Sequence, residues 1–561
     1  MPRPFAMAAL SIAATAATTS LAPAQQTARV SNDASGVEAN GASDGPALSA
    51  DGRHVAFSSR ADNLVAGDGN GASDVFVVDR TSGEIVRVSV DSNGVEGNGD
   101  SFAPALSADG TVVVFQSFAT NLVSSDTNGR ADIFVHVLAS GTTERVSVTC
   151  KCVQGDGDAS SPVLSTDGQF VAFATDNTQL IGGDTNGVRD VFVHDRATGL
   201  SRRVSLDSAG VQGNGASDFP SISADGRFVA FVSQATNLVT GDGNGVADTF
   251  VHDRTLAVTE RASLDSSGGE PNGASEAPSL SADGLLVAFA SHATDLVASD
   301  GNGVRDVFLR DRAAATTVRV SVAPGGGDAD QESFAPTLAG DGGFVAFASS
   351  ATDLVAGDGN GQCDLFVQEL ATGVIERTSV ASDGGEANGA SGGGGGRAVA
   401  IGAKGFAIAF ASSATNLVAG DGNGVDDLFV RDRCVLASAA GYGSGFPGAL
   451  GVPNLSAATL PLIGAPLSID VGSSATATTL AVLLLGDSAA AIPLRKGGLL
   501  LVVPQVALPL IVPPGGLTLI EDVPDDTALC GLTLFVQTLL VDPGAARGQS
   551  ASAGLALVLG V

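Results

Sequence analysis

Seven times along the chain two aspartates stand six residues apart with an asparagine between them, in the pattern D-x-N-G-x-x-D. The copies are Asp68, Asn70 and Asp74; Asp126, Asn128 and Asp132; Asp184, Asn186 and Asp190; Asp242, Asn244 and Asp248; Asp300, Asn302 and Asp306; Asp358, Asn360 and Asp364; and Asp421, Asn423 and Asp427. Oxygen donors at alternate positions, with a glycine for the sharp bend, suit a hard cation such as calcium. The same residues also suit a hairpin loop whose Asp and Asn bond their own backbone, with Asn-Gly reaching positive φ. The residue types alone leave both readings open. Asn63, Asn121, Gln179, Asn237, Asp295, Asp353 and Asn416 lie five residues before each first Asp, close enough in sequence to fold back as extra donors.

The first Asp of each copy recurs every 58 residues, with a last interval of 63. A fixed period of this length means a repeat architecture. Within one repeat, P-A-L-S from Pro46 leads to the turn Ala50-Asp51-Gly52, then a strand over His54–Ser59. A long polar loop follows, then strands over Asp74–Asp79 and residues 85–90 separated by Thr81-Ser82-Gly83. The spacing predicts four short antiparallel strands per unit. Two phenylalanine columns keep the phase: Phe57, Phe115, Phe173, Phe231, Phe289, Phe347 and Phe410, and Phe76, Phe134, Phe192, Phe250, Phe308, Phe366 and Phe429. One large apolar side chain at the same place in every unit is what stacked sheets need for a continuous core.

The ends decide between an open array and a ring. The motif R-V-S, or R-A-S or R-T-S, begins at Arg29, Arg87, Arg145, Arg203, Arg261, Arg319 and Arg377. The first copy precedes any complete unit and the last unit has none. Pairing residues 29–32 beside 427–433 removes both free edges. The expectation is an all-β, seven-bladed β-propeller closed by the N-terminal strand, over residues 25–434. The run P-x-L-S-x-D-G, V-A-F-x-S, D-V-F-V-x-D-R and R-V-S resembles the TolB-like, WD-type β-propeller repeats of exported bacterial proteins. That resemblance is specific for fold and not for activity. The seventh unit departs from it, with Ala403-Lys404-Gly405 for A-D-G and a Gly-rich insertion near residues 392–396. The D-x-N-G loops are similar to the calcium loop of integrin-type propellers, shortened at the start, so that Ala66 and its equivalents stand where one more carboxylate would be.

Residues 435–561 drop the period and read as a small all-β, β-sandwich-like domain. It looks like the C-terminal domains appended to many exported bacterial proteins; that resemblance implies a cysteine where Phe446 stands. Residues 1–24 read as a secretory signal, with Arg3, an apolar run over 5–21 and the A-x-A site Ala22-Pro23-Ala24. The most apolar later run, 499–512, is 14 residues broken by Pro504 and Pro509, too short for a membrane helix. The five cysteines are Cys150, Cys152, Cys363, Cys434 and Cys530. An odd number leaves one thiol unpaired or paired between molecules. A Cys434–Cys530 bridge is one option.

A formal charge of −32 repels phosphate backbones and excludes nucleic acid as a natural partner. His136, His194 and His252 share one repeat position, but neighbouring sheets lie about 10 Å apart, too far to share one ion. No G-x-S-x-G, H-E-x-x-H or P-loop is present. The long loops between second and third strands, and between fourth and first, fall on one face, rich in Asp, Asn, Gly and Ser. The expected function is an exported, monomeric, non-enzymatic scaffold whose acidic loop face engages a protein or a cell-surface polymer, with calcium stiffening the loops. The alternative is an enzyme acting on a polysaccharide or glycoconjugate at the propeller pore, marked by ionisable groups that break the repeat symmetry.

Overall fold

The computed structural model describes residues 25–149, 154–392, 399–433 and, within 438–559, all but 443, 448, 463–464, 487–488, 495–498, 524–532 and 546–547. The predicted signal, the Cys150–Cys152 pair, Cys434, Cys530 and most of the Gly-rich insertion lie outside the described residues. Two compact units divide the chain, Thr27–Arg431 and a second that includes Asp432–Val561.

In the larger unit, seven four-stranded antiparallel sheets follow one another. The first is built from Ser43–Leu48, His54–Ser59, Asp74–Asp79 and Glu84–Arg87, paired in that order. Each V-A-F stretch is buried on both faces, because every sheet packs between two others; this explains an unbroken apolar run where a half-exposed strand would alternate. Phe57 lies directly across from Phe76 in the ladder, and their ring centroids are 5.9 Å apart. The other six pairs repeat this at 5.9–6.3 Å, all fully buried. Each pair sits against small residues of the preceding sheet: Phe115 and Phe134 share a cluster with Ala47, Ala56, Val75 and Val77.

The first strands of neighbouring sheets touch one another around the ring, and the first sheet packs on the seventh. First strands therefore surround the axis and fourth strands lie outside, as in an all-β propeller. Six first strands slip register at one point, between Asp44 and Ala47 in the first sheet. The residue at the slip has positive φ: Gly45 at 62°, then Ala103, Ser161, Phe219, Ala277 and Ala335 at 49–56°. Five of these six are not glycine, so the inner strands carry backbone strain of roughly 1–2 kcal/mol each. At the turn after the first strand glycine is required: Gly226 has φ 70°, and a Cβ there would lie 2.3 Å from Phe170.

Two boundaries differ from the sequence reading. The fourth strand ends at Arg87, not residue 90. Beyond it Ser89 turns its hydroxyl inward to the carboxylate of Asp74, and Val90 makes only an isolated bridge to Glu96. The closing strand is Gln26–Arg29, three residues earlier than expected, beside Asp427–Asp432. The Val30 N–H still reaches Leu428 O at 2.8 Å, and Ser31 Oγ bonds Asp427 at 2.6 Å.

In the second unit, Ser438–Tyr442, Gly554–Val558, Thr533–Val541, Thr479–Gly486 and Val506–Val512 order one sheet, with Gln549–Ala551 added on Thr533–Val541. Leu455–Ala457, Pro466–Val471 and Leu517–Asp522 form a second sheet, and a two-stranded hairpin completes the unit. Among the described residues no helix is long and apolar enough to cross a membrane.

A chain begun at Asp33 would lack both the closing strand and Arg29. It is expected to lose at least about 3–5 kcal/mol, because buried Asp421 and Asp427 are left without their cation. It should also self-associate through the bared edge. Urea unfolding and size-exclusion chromatography measure both; an unchanged midpoint in a monomer would refute the closure energetics.

Candidate functional site

The D-x-N-G loop joins the second strand of each sheet to the third, and the R-V-S arginine ends the fourth. The antiparallel ladder sets Phe76 opposite Arg87, so Asp74, two residues from Phe76, and Arg87 meet on the loop side of the sheet. Arg87 Nη1 lies 3.3 Å from Asp68 Oδ1, 3.3 Å from Asp74 Oδ2 and 2.6 Å from Glu96 Oε1. Ser89 Oγ donates to Asp74 Oδ1 while accepting from the Val75 N–H at 3.1 Å. The serine bond recurs in all seven sheets. R-V-S is thus a two-pronged clasp on the aspartate that opens the third strand.

Asn70 Nδ2 donates to Asp74 Oδ2 and to Gly97 O, both at 2.9 Å, while its Oδ1 accepts from the Ala72 N–H at 2.6 Å. Its oxygen is spent on the loop, and the same bond holds Asn128, Asn186, Asn244, Asn302, Asn360 and Asn423. The Asn-Gly glycine has positive φ in every copy, 64–71°. The oxygens that converge on one point come from the two aspartates and from a third residue the motif did not include: Glu96 and its equivalents. The available signal was the recurrence of Glu or Gln nine residues after each R-V-S arginine, with Asp328 once.

In the seventh sheet the cluster is assembled from the two chain ends. Arg29 Nη1 sits 2.5 Å from Glu38, 3.6 Å from Asp427 and 3.9 Å from Asp421. Asn63 does not turn back toward Asp68. It accepts from the Asn40 N–H at 2.9 Å and donates to Glu38 O at 2.8 Å, knitting the two long loops together. Asn121, Asn237 and Asn416 make the same donation to the equivalent carbonyls.

Burial, then the second aspartate of the pair, pushes Asp68, Asp300, Asp358 and Asp421 up to about 6, against the opposing pull of the arginine. Burial also raises Asp74, Asp132, Asp190, Asp248, Asp364 and Asp427. The outer acid behaves oppositely: the Arg261 bond holds Glu270 below its usual range, and the Gly359 N–H does so for Glu386.

The clusters fall into two kinds. Where the third residue is Glu or Asp, the loop reads D-G-N-G; where it is Gln, at Gln154 and Gln212, the loop reads D-T-N-G. Gln154 Nε2 donates to Thr127 Oγ1 at 2.8 Å and its Oε1 accepts from the Thr127 N–H at 2.9 Å. Gln212 bonds Thr185 in the same way. In the Glu kind the Gly69 N–H reaches Glu96 Oε1 at 3.0 Å.

The other candidates separate. His136, His194 and His252 sit in three different sheets, each bonding a hydroxyl of its own sheet at 2.8–3.0 Å and held below the usual imidazole range by burial. Arg310 takes the equivalent place in the fifth sheet, bonding Thr317. Around the axis the repeat symmetry breaks. Arg189 Nε lies 2.8 Å from Asp218 Oδ2, and its guanidinium reaches Ser160. Arg305 pairs with Glu276 and with Glu332, the latter at 3.1 Å, and stacks 4.7 Å from the Phe334 ring. Cys363, at the repeat position of these arginines, has a thiol that burial pushes up to about 11, so it is a poor nucleophile.

The clasp is expected to be structural. Arg203→Met leaves Asp184 and Asp190 buried without their cation and should cost about 3–5 kcal/mol. Ser205→Ala strips one donor from Asp190 and should cost about 1–3 kcal/mol. Urea unfolding checks both, and a loss under about 0.5 kcal/mol, the range of ordinary surface changes, for Arg203→Met would contradict the assignment.

No family model and no curated protein matches the chain. Solved structures similar to it include a putative TolB from Agrobacterium tumefaciens, at 16% identity over 50% of this chain and 80% of that one, TM-score 0.32. An oligogalacturonate lyase from Vibrio parahaemolyticus is 12% identical over 74% of this chain and 92% of that one, TM-score 0.43. The WD40 repeats of RRP9 are 10% identical over 73% and 99%, TM-score 0.36. All three are similar in fold alone; the propeller assignment rests on this chain's own sheets.

Proposed function

We propose that the protein is an exported, non-enzymatic binding scaffold whose long-loop face engages a protein or a cell-surface polymer. The observation that carries this reading is the knitting of the two long loops in each sheet. Backbone N–H groups at Asn40, Asn98, Asn214, Asn272, Asp330 and Asn388 are held by side chains of the facing loop at 2.9–3.1 Å. Loops braced this way lose little entropy on binding, which favours a preorganised platform. Acids remain on this platform outside the clasps: Asp62 and Asp295 are exposed and Asp353 is partly so. They suit a partner with a basic face. Residues 1–24 carry the reading of export.

Asp62→Asn, Asp295→Asn and Asp353→Asn keep the oxygens that brace the loops and remove three charges. The full chain bearing all three is expected to bind surface polymer and envelope proteins at least several-fold more weakly at low salt, with the difference fading at high salt. Binding to immobilised chain checks this; full retention of every partner would remove the acidic face from the function.

A second reading, action on a polysaccharide or glycoconjugate at the pore, is favoured by one observation: the arginines Arg189 and Arg305, paired with Asp218, Glu276 and Glu332, stand at a repeat position that is not arginine in the other sheets. Turnover of acidic or neutral glycans, lost in Arg305→Gln, would support it; no turnover of either class would count against it.

A further inference from the structure

At the outer rim of the ring, neighbouring sheets are stapled by serine and threonine pairs. Ser92 Oγ, on the loop after the first sheet, accepts from the Thr143 N–H at 2.9 Å and donates to Thr143 O at 3.3 Å. Thr143 stands in Thr142–Arg145, the outermost strand of the second sheet, with no further strand beside it. The serine therefore caps the donor and the acceptor that this edge turns outward. Ser208 caps Thr259, Ser266 caps Thr317 and Ser382 caps Thr27 with the same two bonds. Each threonine hydroxyl donates in return to a carbonyl of the loop that carries the serine.

At the sixth sheet both members of the pair are replaced. Pro324 stands at the serine position and Ile375 at the threonine position. Ile375 lies across from Gln368 as Thr143 lies across from His136, so its N–H and C=O also turn outward. Pro324 has no hydroxyl to meet them. The outer strand is only three residues, Ile375–Arg377, and Val374 before it is 61% exposed. Beside this edge lies a slot of about 360 Å³ lined by Val322, Pro324, Leu354, Val355, Val374 and Ile375, with no charged side chain in its wall. Gly325 and Gly326 border it, and a Cβ on either would meet nothing within 4 Å, so the slot stands open. The first sheet also lacks the pair, having Ala34 and Ile85 at these positions, but Ile85 is buried in the core there.

We propose that the outer edge of the sixth sheet takes up an extended peptide as a fifth strand, with aliphatic side chains seated in the slot and basic ones between them. Main-chain bonds to the uncapped Ile375 supply affinity, and the slot beside them selects the side chain. Side chains of a strand alternate between its faces, so every second residue of the peptide meets the slot. The slot is at the small end of the about 300–1,000 Å³ of whole-ligand pockets, and its aliphatic wall suits one or two branched apolar side chains. Charge sets the residues between. The chain carries −32, and Asp353, next to Leu354, and Glu369, whose N–H bonds Val374 O at 3.0 Å, add acids beside the slot. A second copy would bring the same negative charge to this edge, whereas a basic peptide is drawn to it. The inference does not rest on the scaffold reading, because the edge and the slot are present whether or not the loop face has a partner.

The test is fluorescence polarisation of a labelled, end-blocked peptide of alternating valine and lysine with the full chain. Saturable binding below about 1 mM is expected. Two peptides of equal charge, N-methylated on every valine amide or on every lysine amide, separate strand pairing from bulk attraction. One of the two should bind at least about tenfold more weakly, because one set of amides faces Ile375. Pro324→Ser with Ile375→Thr rebuilds the cap and should weaken the parent peptide by about tenfold or more, with an undiminished unfolding midpoint. Both methylated peptides binding like the parent, full binding to the double variant, or no binding at about 1 mM peptide would each overturn the proposal. So would a dimer of the unchanged chain that the double variant dissolves in size-exclusion chromatography, since the edge would then belong to a second copy.

Discussion

Every sheet of this propeller depends on one buried interaction: the aspartate that opens the third strand, gripped by the arginine that ends the fourth strand and the serine just beyond it. Asp74 is buried among apolar strands, where an isolated carboxylate would be strongly disfavoured. Ser89, Asn70 and Arg87 together make its burial tolerable and, in doing so, fix the loop before it and the strand end after it. The seventh sheet shows the same dependence on a larger scale. Its aspartates belong to one end of the repeat array and its arginine and serine to the other, so the clasp and the ring close together.

Around this frame the core is built by unequal exchange. Each sheet packs its two stacked phenylalanines on the alanine and valine side of the sheet before it, and takes the phenylalanines of the next sheet on its own alanine and valine side. Large against small keeps successive sheets close without voids. The inner strands, pressed together at the axis, take up the misfit as a register slip with positive φ on five residues that are not glycine.

The repeats stop being identical at two places. The outer acid is Glu in four clusters, Gln in two and Asp in one, and the loop glycine or threonine changes with it. At the axis Arg189 and Arg305 interrupt positions that are Ser73, Ala131 and Ala247 in other sheets. The repeated residues hold the scaffold, and the unrepeated ones make its sheets distinguishable.

The sequence by itself determined the period, the strand pairs, the phenylalanine core and the closure by the first R-V-S copy, because these are local patterns multiplied seven times. It also located the aspartates of the site. It did not reveal that Arg87 and Glu96 complete the cluster of Asp68 and Asp74, nor that Asn70 turns its oxygen to its own loop. Those partners are 19 and 28 residues from Asp68, and although each recurs with the repeat, the recurrence does not say that they meet the aspartates. Only the antiparallel ladder, which sets Phe76 opposite Arg87 and folds the next long loop over both, brings them within ion-pair distance. The strand ends were decided the same way: Ser89 and Val90 have strand-forming sequence, but a buried carboxylate in need of a donor draws Ser89 out of the ladder.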